Sequence, residues 1–109
     1  MISPVFRYQE FQDEMDSLEK NWNCFTGMLQ NETLPEHLKN FVMAKIQRDH
    51  QLKLQEDVQS MIWGFRITFL KQLLENSGVG EKLRTTIGSV VQSILAVLKK
   101  FHLPVDVPS

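Results

Sequence analysis

From Tyr8 to Leu29 the large apolar residues fall at spacings of 3, 4, 3, 4, 3 and 4: Tyr8, Phe11, Met15, Leu18, Trp22, Phe25 and Leu29. That alternation keeps one narrow stripe of a helix turned toward a partner helix; a strand would bring the same face round every second residue instead. Between these positions lie Glu10, Asp13, Glu14, Asp16, Glu19 and Lys20, which make the opposite face solvated and mainly acidic. Ser3 and Pro4 mark the start, the hydroxyl suited to the cap and the proline to the first helical position, where no N–H is needed.

Proline and glycine, the residues that interrupt helices, are confined to Pro4, Gly27, Pro35, Gly64, Gly78, Gly80, Gly88, Pro104 and Pro108. No turn dipeptide sits between alternating runs, so strands are not expected. Thr33 followed by Glu36 has capping-box spacing and Pro35 suits a first turn, which opens a second helix there. Propensity alone lets it run from about Pro35 to Asn76, roughly 60 Å at 1.5 Å per residue. The segment Gln47 to Asp57 is polar except for Leu52 and Leu54, and a bend or break falls there if anywhere. Beyond it, Val58, Ile62, Phe65, Phe69 and Leu73 form one stripe and Trp63, Ile67, Leu70 and Leu74 another, which predicts a central helix buried on two sides. Arg66 and Lys71 keep that segment from being a membrane span. Asn76 to Gly80 is a stop-and-turn signal in which glycine would supply left-handed backbone. A last helix then runs from Glu81 to about Phe101.

The expected fold is therefore all-α: an antiparallel bundle of three long helices, or four if the middle one breaks near residues 47–57. Residues 1–103 form one domain, and 104–109, with Pro104 and Pro108, form a flexible tail. An unbroken second helix would outreach its neighbours and leave apolar surface best covered by another copy, which predicts a homodimer.

Composition narrows the function classes. The 109 residues are 42% hydrophobic and 23% charged, the balance of a globular domain, too apolar for disorder and too charged for a span. With 12 basic and 13 acidic residues the net charge is −1, so no global field recruits nucleic acid. Lys39, Lys45, Arg48 and Lys53 spread around the second helix and alternate with acids instead of forming a stripe. Cys24 has no partner for an internal disulfide and no companion thiolates for a zinc site. The opening residues lack the pattern of a secretory leader, so a cytoplasmic, intracellular protein is expected, and the Asn31-Glu32-Thr33 triplet carries no functional weight.

Catalysis needs convergent groups, and His37, His50 and His102 stand in no motif of a known chemical type. No phosphate loop, nucleophile elbow or metalloprotease pattern occurs, so no enzyme activity, cofactor or catalytic residue is expected. The carboxylates Asp13, Glu14, Asp16 and Glu19 have the spacing of a solvated face, not of a calcium loop, and no metal is expected. Trp22 and Phe25, with Met28 beside them, are the candidate partner-binding residues, since aromatics and methionine favour interface cores; a heptad seam uses the same residues equally well for internal packing. The polar face of the last helix is mostly Thr85, Thr86, Ser89, Gln92 and Ser93, so residues 83–101 could also lie on a membrane surface.

The function expected by elimination is a non-catalytic protein–protein interaction module: an adaptor, regulatory subunit, secretion chaperone or pathogen accessory factor. The alternatives are a small dimeric nucleic-acid-binding protein and a peripheral membrane protein that uses the last helix.

Overall fold

The computed structural model describes residues 4–55 and 58–105, with side chains from residue 7 onward. It is an all-α bundle of four helices: α1 Pro4–Gln30, α2 Glu36–Gln55, α3 Gln59–Leu74 and α4 Glu81–Lys100. Each helix packs on its sequence neighbours and α4 closes the ring against α1, so α1/α3 and α2/α4 are the diagonals. The expected middle helix is two helices. No glycine or proline stops it; α2 ends at Gln55, within the polar stretch, and Val58 is extended at φ −94° and ψ 114° before α3 begins. A continuous helix of roughly 60 Å would also exceed the whole molecule, whose longest extent is 51 Å.

The stripe of α1 faces the core as the spacing predicts from Met15 to Leu29, where Met15, Leu18, Trp22, Phe25 and Leu29 are all buried. It does not hold at Tyr8, which is 68% exposed. The reason is length: α1 has 27 residues against 20 in each flanking helix, so its first turns outreach both partners. Phe11 still packs at that end, edge-on to Phe101 at 5.2 Å between ring centroids. From α3, Ile62, Trp63, Ile67, Phe69, Leu70 and Leu73 are all buried, as a helix with two apolar faces requires.

Two local expectations are corrected. The first i→i−4 bond of α2 runs from Lys39 N–H to the Pro35 carbonyl at 2.9 Å, so Pro35 holds the cap position and Thr33 lies two residues outside it. Between α3 and α4 no described glycine has positive φ. Gly78 is needed for close approach instead, since a Cβ there would lie 2.8 Å from Leu38 Cδ1 and 3.0 Å from Pro35 Cγ. Arg84 fastens the same turn by donating to the carbonyls of Leu74 at 2.6 Å, Asn76 at 2.7 Å and Val79 at 3.3 Å. The left-handed residue is His102, at φ 53°. There Leu103 N–H reaches the Leu98 carbonyl at 2.9 Å and His102 N–H that of Lys99 at 3.2 Å, the paired bonds of a Schellman stop. Apolar packing continues past it, with Leu103 and Val105 against the core. The Ser3 cap and residues 106–109 of the tail lie outside the described residues.

Candidate functional site

Antiparallel connection places the start of α1, the end of α2, the start of α3 and the end of α4 at one end of the bundle, opposite the end closed by Gly78 and Arg84. The open end concentrates apolar exposure. Of the seven large hydrophobics left exposed among the described residues, Leu54, Val58 and Met61 flank the α2–α3 turn and Tyr8 stands on the overhanging turns of α1. Leu54 is 88% exposed. Single exposed leucines are ordinary; three apolar residues around one turn are the kind of local patch that marks a contact surface.

One turn further into the bundle lies a layer of charge. Arg66 of α3 is 1% exposed, and its guanidinium sits 4.5 Å from the Trp63 ring centre and 5.0 Å from that of Trp22. Its Nε–H donates to Asp49 Oδ2 at 2.6 Å and Nη2 to Asp49 Oδ1 at 3.0 Å. Across the diagonal, Nη1 and Nη2 donate to the two oxygens of Glu19 at 2.8 and 2.9 Å. Lys53 approaches Glu19 to 3.4 Å from α2. Trp63 is held by its own indole N–H, which donates to Gln59 Oε1 at 2.9 Å. Burial works to raise the Glu19 carboxyl, but hydrogen bonds and attraction from Arg66, with Lys53 adding, outweigh it and hold the group below its ordinary 4.5. Burial likewise disfavours the charged guanidinium, and the two carboxylates reverse that, raising Arg66 above its ordinary value. The arrangement satisfies two planar acceptors bidentately, the geometry for which arginine is suited and lysine is not.

A second cluster lies at the surface of the α1/α4 seam. Lys100 Nζ stands 2.8 Å from Glu10 and 2.7 Å from Glu14. Its hydrogen bond draws the Glu10 carboxyl down from its ordinary value, and the bonds to Glu10 and Glu14 raise the Lys100 ammonium. Beyond it the seam is incompletely filled: a cavity of about 180 Å³ lies over Leu18, Trp22 and Ile94, rimmed by Asn21, Ser89 and Ser93.

Of the three candidate partner-binding residues, the structure buries Trp22 and Phe25 in the core, where Trp22 meets Trp63 and Phe69 edge-on, and leaves only Met28 exposed. The sequence stripe already separates these, since Trp22 and Phe25 lie on it and Met28 lies just outside it. His37 and His50 are exposed on α2 and His102 is exposed just after α4, and the three are not brought together. Among the described residues no group of three or more His, Cys, Asp or Glu could hold a metal ion, and no helix is long and apolar enough to cross a membrane. The residues that sequence reasoning missed are Glu19, Asp49 and Arg66. The available signal was an arginine inside a segment with two apolar faces, a position that requires buried counter-charge.

No protein family matches this chain, and no match to it is found among curated proteins or solved structures.

Proposed function

We propose that this chain is a non-catalytic protein-interaction module that docks a partner at its open end. The observation that carries the reading is the patch of Leu54, Val58 and Met61 around the α2–α3 turn, where three exposed large apolar residues fall close together in the chain while the others among the described residues stand singly. The partner surface it fits is apolar.

The last helix offers less. Its apolar residues Leu83, Ile87, Val91, Ile94 and Leu98 all pack inside, so a membrane surface would have to open the bundle to reach them. The case for a homodimer also changes footing, because the overhanging middle helix that motivated it is divided between α2 and α3. A second copy stays within the proposal as one occupant of the open end.

The test is site-directed photo-crosslinking in cells, with the crosslinker at position 54 and, as a control, at the exposed Met43 on the flank of α2. A discrete adduct from position 54, absent at 43 and lost on Val58→Ser/Met61→Ser, is expected. Equal labelling from both positions, or none from 54, would refute docking at this end. Light scattering across a concentration series tells a second copy from a different partner.

A further inference from the structure

The interior carries its charge in one place: among the described residues, Asp49 and Arg66 are the buried charged side chains, and half-buried Glu19 completes their layer from the diagonal helix. We propose that this layer is an acid-sensitive strut: when Glu19 takes up a proton, Arg66 loses the counter-charge that ties it to α1, and the α1/α3 diagonal opens while the helices persist.

The argument is one of asymmetry. A carboxylate can neutralise itself by binding a proton, whereas a guanidinium stays charged throughout the accessible pH range. Protonating Glu19 therefore leaves the buried cation short of one of its two counter-charges, a less stable arrangement than the fully paired one. The groups that face this cation are Glu19 from α1, and Asp49 with, through Glu19, Lys53 from α2. On the α4 side no described ion pair reaches the layer; Lys100 engages Glu10 and Glu14 instead. To regain water the guanidinium must leave the space between Trp22 and Trp63, so both indoles report its departure. The α1/α3 link is carried by side chains crossing the centre, since these helices are not neighbours in the ring. The apolar seams between neighbours contain no other buried charge among the described residues, and Glu10 and Glu14 sit with Lys100 at the surface of the α1/α4 seam.

The pH window follows from Glu19. Its carboxyl is held below the ordinary 4.5, so the layer's contribution is complete above that value and is lost as pH falls through the lower folded value.

The experiment is an NMR titration of the wild-type chain, following the indole N–H resonances of Trp22 and Trp63 from neutral pH into acid, with far-ultraviolet circular dichroism on the same samples. Both indoles should shift in one step below pH 4.5 while the helical signal is retained. Glu19→Gln should show the acid-state indole shifts already at neutral pH. Arg66→Met/Asp49→Leu/Glu19→Gln should lack the step. Indoles unmoved through the carboxylate range, indoles that move only as helix is lost, or an unchanged step in the triple variant would each overturn the strut. Should either variant fail to fold, the wild-type titration decides alone.

Discussion

Arg66 and Lys100 are each a cation set between two carboxylates at hydrogen-bond distance, and each ties together different helices. Contact geometry hardly distinguishes them. Arg66 is enclosed by two indoles and nearly without solvent; the side chain of Lys100 is 50% exposed. In water the attraction between such charges is weak and screened, and fixing long side chains offsets much of it. In the interior the attraction is stronger, but so is the cost of desolvation, and the two nearly cancel for the intact cluster. The lesson is that the buried cluster adds little to stability when whole and removes a great deal when broken, whereas the exposed one does little either way.

Three substitutions sharpen or break that comparison. Arg66→Ala leaves Asp49 buried without a counter-charge and should cost about 3–5 kcal/mol in urea unfolding; a loss below about 1 kcal/mol would place the two clusters on the same footing. Glu19→Gln keeps the shape and part of the hydrogen bonding but removes one of two charges, on a side chain 23% exposed, and should cost about 1.5 kcal/mol. Lys100→Met should leave the urea midpoint unchanged. In about 1 M salt, where the Debye length falls to about 3 Å, any residual effect of Lys100 should vanish while that of Arg66 remains. A salt-sensitive Arg66 effect would mean that water reaches the layer.

How far the sequence discloses this molecule depends on what periodicity can measure. It reports the face of a helix, and so it names Met15, Leu18, Trp22, Phe25 and Leu29 as the inner residues of α1. It does not report where the partner helices stop, which is why Tyr8 fits the stripe and lies outside the core. The break after Gln55 has no glycine or proline to announce it, only a loss of apolar residues, and packing against α1 and α4 decides it. Gly78 announces a turn correctly for the wrong reason: the requirement comes from Leu38 and Pro35, some forty residues earlier in the chain. The Arg66 layer is hidden in the same way. Its bonds join residues 17 and 47 positions apart: Arg66 calls for a buried counter-charge, but Glu19 and Asp49 taken singly look like ordinary helix-surface polarity. At the open end, Leu54 was visible as an apolar residue in a polar stretch, but its exposure depends on where α2 ends.

The closure of the ring by α4 has a bearing on how the chain is made. Lys100 meets Glu14 across 86 positions of sequence, and the α1 face that receives Ile94 and Leu98 is complete long before those residues are synthesised. Contacts of such separation form late, since the intervening chain must be gathered first. During translation, then, α1, α2 and α3 emerge as an incomplete bundle with one seam of α1 uncovered, and Leu18 is shielded from other nascent chains only once the last helix has left the ribosome.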